Sequence, residues 1–236
     1  MDGFVDIHQH FLYGVDDGPR RAEDMYAMLE AAAADGITRM LATSHMTPGV
    51  KRFPKEAYDR ALAEAKAYCQ ERGLALTLDG GAEVLYTEQT PQFLLDEEIP
   101  VLAESDRILV EFSPDVTWEK FTEAIDKILC GGYVPVVAHV ERYRCIARNA
   151  ARARDFRKQK HIFYQMNCRT VIEPGGFFEK RFVRHMLDWD AIDAIATDAH
   201  NVSSRRVHMR EAAELLAARY GEDKARRLTD GRVLRG

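Results

Sequence analysis

Phe4-Val5-Asp6-Ile7-His8-Gln9-His10 is the stretch from which the rest of the chain can be read. It is a short apolar run that ends in two histidines. Side chains at i and i+2 of a strand point the same way, so His8 and His10 converge on one point. Two imidazoles delivered together can grip one ion, although an isolated pair is as compatible with histidines packed in a core. Recurrence decides between the two.

Six more runs share this character: Arg39–Thr43, Leu74–Leu78, Ile108–Phe112, Val134–Ala138, Ile162–Met166 and Ala194–Ala196. Each is short, bounded and rich in Val, Ile, Leu or aromatic residues, as strands buried on both faces are. Helical stretches separate them. Glu23–Ala34 places Met25, Met28, Leu29 and Ala32 on one stripe, and Lys120–Cys130 does the same with Phe121, Ala124, Ile125 and Ile128. Lys55–Arg72, Ala150–Lys160, Phe178–Trp189 and Arg205–Tyr220 complete the set, with Gly36, Gly73 and Gly132 where helices end. Strand–helix alternation implies an α/β fold with a parallel sheet, and about seven such units in one domain fit a closed barrel better than an open sheet.

Composition agrees. The chain has 236 residues, 46% hydrophobic and 30% charged, which excludes disorder and fibrous classes and suits a single domain over 1–236. Its net charge of −5 argues against bulk nucleic-acid binding. Cys69, Cys130, Cys145 and Cys168 form no C-x-x-C pair, so a zinc ribbon and a thioredoxin motif are out. Neither a signal peptide nor an apolar run of bilayer length is present, and scattered cysteines fit reduced thiols. The expectation is a cytoplasmic protein without membrane insertion.

The functional signal lies at the ends of the strands. His8 and His10, His45, Glu83, Glu111, His139, and Asp198 with His200 all fall there, on the active-site face of an α/β barrel. Five of the eight histidines are among them, and Asp17 joins from the first loop. So many charged groups at buried strand ends are costly unless paired or metal-bound. Nine ligands exceed one ion, and three ions at three protein ligands each fit them. Imidazole with carboxylate and no thiolate suits Mn, Fe or Zn. Three divalent ions against four carboxylates leave about +2, a charge that attracts a dianion such as a phosphate monoester.

The ordered segments resemble a known family. They are Asp6-Ile7-His8-Gln9-His10, Val15-Asp16-Asp17-Gly18-Pro19, Thr43-Ser44-His45, Leu109-Val110-Glu111-Phe112, His139-Val140-Glu141-Arg142-Tyr143 and Thr197-Asp198-Ala199-His200-Asn201. Together they are similar to the PHP (polymerase and histidinol phosphatase) superfamily and, within it, to the CpsB/CapC-type bacterial protein-tyrosine phosphatases. The resemblance implies the PHP fold, a distorted (β/α)7 TIM-like barrel, holding three metal ions that are usually Mn²⁺. It implies hydrolysis of phosphotyrosine on a bacterial tyrosine kinase that controls capsule or exopolysaccharide synthesis. By position it assigns His8, His10, Asp17, His45, Glu83, Glu111, His139, Asp198 and His200 as ligands, with Asp17 preferred to Asp16. It assigns Arg142 and Arg205 to the phosphate. The chain departs from the family at Ser44 and Val140, where Pro is usual, and at Asn167-Cys168-Arg169-Thr170, where N-A-G-S is usual.

A cysteine phosphatase needs C-x5-R, but the residues six after the cysteines are Ala75, Val136, Ala151 and Pro174. The nucleophile expected is therefore a metal-bound hydroxide, with His200 or a metal-bound water the candidate general acid. Tyr13, Phe53, Tyr86 and Phe177 lie in loops and suit either a place beside a phosphotyrosine ring or ordinary packing. The basic run Arg144, Arg148, Arg152, Arg154, Arg157, Lys158 and Lys160 reads as a solvated helix face or as a docking surface for an acidic tail. A small-molecule phosphatase such as a histidinol phosphatase, a nuclease and a non-catalytic module are the competing readings.

Overall fold

Six of the seven apolar runs fold essentially as strands, the third, Leu74–Leu78, becomes strand only from Thr77, and every strand pairing is parallel. The computed structural model describes residues 2–235. In chain order its elements are β1 (Phe4–Gln9), α1 (Ala22–Ala34), β2 (Ile37–Ala42), β3 (His45–Met46), α2 (Lys55–Arg72), β4 (Thr77–Gly80), β5 (Glu83–Leu85) and α3 (Thr90–Leu95). Next come β6 (Arg107–Glu111), α4 (Trp118–Cys130), β7 (Val134–Val137), α5 (Arg144–Ala147), α6 (Ala150–Lys160), β8 (Phe163–Asn167), α7 (Cys168–Ile172) and α8 (Phe177–Asp188). The chain ends with β9 (Ala194–Ala196), α9 (Met209–Tyr220) and α10 (Glu222–Thr229). No helix among the described residues is long and apolar enough to cross a membrane.

The ladders form two parallel sheets, β1-β2-β4 and β3-β5-β6-β7-β8-β9. A single closed barrel is not what the ladders alone draw, because β2 and β4 each stop and a separate short strand, β3 or β5, follows in the other sheet. The breaks have local causes. The Thr43 hydroxyl accepts the Gln9 N–H (2.9 Å), which ends the β1–β2 ladder. Past it the chain bends, and His45 pairs with Glu83 in the larger sheet. At the second break the Tyr58 hydroxyl from α2 accepts the Gly81 N–H (2.9 Å) and donates to Ala42 O (2.9 Å), so a side chain replaces the missing strand contacts. At the other edge β9 leads back to β1. Gln9 and Ala199 form a parallel bridge, and the Asp198 N–H donates to His8 O (2.9 Å).

The expected apolar stripes are buried: Met25, Met28, Leu29 and Ala32 on α1, and Phe121, Ala124, Ile125 and Ile128 on α4. Thr117 and Asn149 cap α4 and α6 by accepting the N–H groups of Lys120 (3.3 Å) and Arg152 (3.1 Å). Gly73 ends α2 at φ +64°, the conformation for which glycine is favoured. One helix starts later than its pattern suggests, at Met209 rather than Arg205. The Asn201 side chain accepts the Ser203 and Arg205 N–H groups (2.9 and 3.0 Å), and the His200 N–H donates to Arg205 O, which closes 200–205 as a loop.

Most of the core lies between the sheets and the helices. A smaller apolar cluster gathers Ile7, Leu41, Leu109, Val136, Ala138, Ala194 and Ala196 from five strands. At the C-terminal ends of those strands the side chains turn polar: Leu109 is followed by Glu111, Ala138 by His139 and Ala196 by Asp198.

Candidate metal centre

The β1 register slips between Asp6 and Gln9. Asp6, fully buried there, accepts from His8 N (3.3 Å), Gln9 Nε2 (2.7 Å), Thr197 N (3.1 Å) and Thr197 Oγ1 (2.5 Å). One carboxylate thus ties the strand that carries His8 to the loop that carries Asp198. The first loop folds across the same strand end. Gly18 N–H bonds Asp16 Oδ1 (3.0 Å), and a Cβ on Gly18 would fall 2.2 Å from His10 O. Only glycine fits that approach. His139 (φ +30°) and Asp198 (φ +52°) both sit in the left-handed region, a strain of about 1–3 kcal/mol each that clusters at functional sites.

The nine residues meet. Three sets of donor atoms each lie within 4.8 Å of one another: His10, Asp17, His45 and His200; His8, His10 and Asp198; His45, Glu83 and Glu111. His139 joins from the side, its Nε2 2.8 Å from Glu83 Oε1 and 3.5 Å from Glu111 Oε2. Glu83 lies at the middle. Its Oε1 also reaches His8 Nε2 (3.3 Å), and its Oε2 reaches His10 Nε2 (3.2 Å) and His45 Nδ1 (3.0 Å). Asp198 and His200, two residues apart like His8 and His10, serve different sets, because the chain leaves β9 before reaching them.

The outer nitrogens explain why these atoms face inward. His8 Nδ1 donates to Gln165 Oε1 (3.2 Å), His10 Nδ1 to Asp16 Oδ2 (2.8 Å) and His200 Nδ1 to Asp198 O (2.9 Å), while His139 Nδ1 is hydrogen-bonded with the Tyr143 hydroxyl (3.3 Å). Metal-ligating histidines hold their outer N–H in this way. Each neutral ring then turns a lone pair inward. His8 Nε2 and His10 Nε2 lie 3.2 Å apart. His200 Nε2 is buried without a hydrogen bond, 3.1 Å from Asp17 Oδ1. Acceptors this close need cations between them, so the residues present fit bound metal.

Titration obeys the same logic. Burial opposes a charge on His8, yet Glu83 and Asp198 raise its pKa to about 9. Burial likewise opposes charge on His45, which Asp17 and Glu83 raise to about 11. His10 and His139 are raised against burial by neighbouring carboxylates, whereas burial lowers His200. Burial works against the charge on Glu83, but His8 and the other rings hold it far below the usual carboxylate range. The nearby His200 and His45 rings, 3.1 and 3.3 Å away, hold Asp17 low as well. Protons on the rings thus do what divalent ions would do, and binding such an ion releases them.

Both arginines stand at the rim, turned toward ligand-type carboxylates. Arg142 Nη2 donates to Asp198 Oδ2 (2.7 Å), while Arg205 donates to Asp198 Oδ1 (3.0 Å) and Asp17 Oδ2 (3.2 Å). Asn167 extends the chain of contacts, accepting from Gln165 Nε2 (2.8 Å) and donating to Asp198 Oδ2 (2.9 Å). Sequence reasoning missed the supporting roles of Asp6, Asp16, Tyr143, Gln165 and Asn167. Gln165 and Asn167 had a signal, two polar residues at period two in a buried run.

The remaining candidates separate. Tyr86 stacks on Phe112 beside Glu111, whereas Tyr13 donates to Glu64 (2.8 Å), Phe53 packs on Tyr58, and Phe177 lines a groove beside α8 and α9. All four cysteines are free, and burial pushes the Cys168 thiol well up, away from thiolate chemistry.

Comparison with known proteins agrees with this arrangement. Residues 4–231 match the model of the family described as "Capsular polysaccharide synthesis, CpsB/CapC". The chain is 32% identical over 229 residues to the tyrosine-protein phosphatase CpsB of Streptococcus pneumoniae, covering 95% of this chain and 94% of that one. It is 28% identical over 230 residues to the tyrosine-protein phosphatase YwqE of Bacillus subtilis (strain 168), covering 98% and 90%. Among solved structures it superposes with a TM-score of 0.84, at 27% identity over 94% of this chain and 89% of the other, on one from a study of YwqE and CpsB as metal-dependent tyrosine phosphatases.

Proposed function

The chain belongs to the CpsB/CapC family of capsular polysaccharide synthesis proteins, and from that premise we propose that it is a metal-dependent protein-tyrosine phosphatase. Its substrate is the phosphotyrosine of a bacterial tyrosine kinase in capsule or exopolysaccharide synthesis, met in the cytoplasm. The observation that carries the reading is the ring of inward-facing acceptors around Glu83, with His200 Nε2 buried and unbonded against Asp17.

We read residues 1–236 as one domain, and its sheets as one distorted (β/α)7 barrel. Support comes from the continuity of β2 with β3 and β4 with β5, the return of β9 to β1 through Gln9 and Ala199, and the enclosed apolar cluster drawn from five strands. His8, His10, Asp17, His45, Glu83, Glu111, His139, Asp198 and His200 would hold three divalent ions, Mn²⁺ first and Fe or Zn next. When bound, the ions supply Lewis-acid polarisation of the phosphate and lower the pKa of water toward ~7.

The chain's own side chains do the rest. Arg142 and Arg205, half-exposed at the rim, would give bidentate hydrogen bonds to phosphate oxygens and set the ester's orientation. Asp198 holds both guanidiniums in readiness. Glu83 fixes the four rings around it, Asp16 and Gln165 hold His10 and His8 in the tautomers that face inward, and Tyr143 orients the His139 ring. A phenolate leaves with a pKa near ~10, so a strong general acid is not required. His200, neutral through burial and bonded at Nδ1, is better suited to ligation than to proton donation.

The test is hydrolysis of a phosphotyrosine peptide by the purified chain, with Mn²⁺, with chelator, and with His139→Ala. Metal-dependent turnover lost in the variant is expected. Turnover unaffected by chelation would overturn the reading.

A further inference from the structure

Beyond Arg142 the chain turns outward. The turn Val140–Arg142 runs through Tyr143 into α5, and α8 packs against that turn. Between α5, the start of α6 and α8 lies a groove of about 690 Å³ whose walls include Arg144, Arg148, Phe178, Arg181, His185 and Trp189. Its lining contains three arginines and, among the described residues, no carboxylate. On a chain of net charge −5 this is a concentrated basic surface.

Most cations of the 144–160 run are already engaged. Arg144 pairs with Asp115, Arg154 with Asp155, Arg157 with Asp193 and Lys160 with Asp126, while Arg152 lies over the Trp118 ring. Arg148 and Arg181 have no such partner among the described residues. Both are exposed, and Phe178, 82% exposed, forms an aromatic ledge beside them. An exposed Phe flanked by unbalanced arginines is complementary to an acidic segment bearing an apolar residue. Arg144 is two residues from Arg142, so their Cα atoms lie at most about 7 Å apart, within the span of two residues of an extended peptide.

We propose that this groove seats acidic residues flanking the phosphotyrosine of the partner protein, so that the enzyme selects substrates by charge on one side of the reacting tyrosine. The assignment rests on the phosphotyrosine reading above. Arginine forks match carboxylates in two-point contacts. Because the pairs are exposed, the gain is modest, falls with salt, and appears in KM rather than in kcat.

The experiment compares three substrates with the metal-loaded enzyme: a phosphotyrosine peptide with Asp and Glu flanks, the same peptide with Asn and Gln flanks, and p-nitrophenyl phosphate. The wild type is set beside the double variant Arg148→Glu/Arg181→Glu, whose altered side chains touch none of the ligand-type residues. The expected result is a KM about five- to tenfold lower for the acidic peptide, lost at about 0.5 M salt and lost in the variant. Turnover of p-nitrophenyl phosphate should stay within about twofold, which also reports that the variant is folded. Equal use of both peptides by the wild type overturns the inference and leaves the phosphatase reading intact, as does a preference that survives in the variant. Failure to hydrolyse either peptide sinks the phosphatase reading, and the inference with it. Sedimentation with anionic phospholipid vesicles that the variant abolishes, without any peptide preference, would overturn the inference in favour of a lipid surface.

Discussion

Replacing Glu83 by Gln is the most incisive test of the metal centre. The carboxylate is buried, and its two oxygens touch four imidazoles, at 3.3 and 2.8 Å from Oε1 and 3.2 and 3.0 Å from Oε2. An amide keeps the shape but offers one acceptor oxygen, and it turns two N–H donors toward positions that must hold cations. Loss of an outer hydrogen-bond partner of a ligand already costs about 10–100-fold in metal affinity or activity. Glu83 is itself ligand-type and reaches both sides of the cluster, so two such losses multiply. The expected fall in activity is about 10²–10⁴-fold, or roughly 3–5 kcal/mol. Metal per chain, measured by elemental mass spectrometry after desalting, should fall well below that of the wild type. Phosphotyrosine hydrolysis is assayed in parallel at saturating Mn²⁺, with circular dichroism to show that the variant is folded. A Glu83→Gln protein that keeps its full metal complement and stays within about tenfold of wild-type activity would refute the bridging role.

The same geometry sets further outcomes. In chelator, the raised pKa of His8 stabilises the fold fully below its ordinary value of 6.5, and that contribution is lost as pH rises through about 9. The melting temperature of chelated protein should therefore fall between pH 6.5 and 9, while the Mn²⁺-loaded protein, whose rings carry no such proton, stays nearly flat; parallel curves would contradict the proton-for-metal exchange. Arg142→Ala should lower kcat/KM for phosphopeptide about 10–100-fold with metal content unchanged, and an unaltered rate would reduce Arg142 to balancing Asp198. The Ser44 hydroxyl is fully buried without a partner, so Ser44→Ala should raise the melting temperature by about 2–4 °C. A lowered melting temperature would mean that the hydroxyl is bonded.

The fold was legible wherever a run was long enough to show a period. Lys55–Arg72 and Ala150–Lys160 have the bounds their patterns indicate, and the α1 and α4 stripes are the buried faces. The two-residue β3 and three-residue β5 show no period at that length, so these short strands beyond the second and third runs were invisible. Their causes are tertiary, a threonine hydroxyl and a tyrosine from α2 that take strand hydrogen bonds. The late start of α9 is of the same kind. Arg205 to His208 have nothing against a helix, but Asn201 takes the Arg205 N–H from a position four residues away.

The site divides along a similar line. Residues that would touch an ion must be His, Asp or Glu and must lie at strand ends, so type and place together name them. Residues that orient a ligand need only a donor or acceptor at the right nitrogen. Asp16, Tyr143 and Gln165 do that work with three different side chains, and Asp198 does it for His200 through its carbonyl, which no residue type announces. Asp16 shows the limit most clearly. It sits beside Asp17 in the same motif, and both are carboxylates. Asp17 faces His45 and His200 from inside the cluster, while Asp16 holds His10 from outside and is lowered to about 2 against its burial. The close approach of Gly18 to His10 O separates the two, because it sets how the loop crosses the strand end. Filling that space with Gly18→Ala would turn the loop. Asp16 and Asp17 would then be displaced together, one from behind His10 and the other from in front of His200.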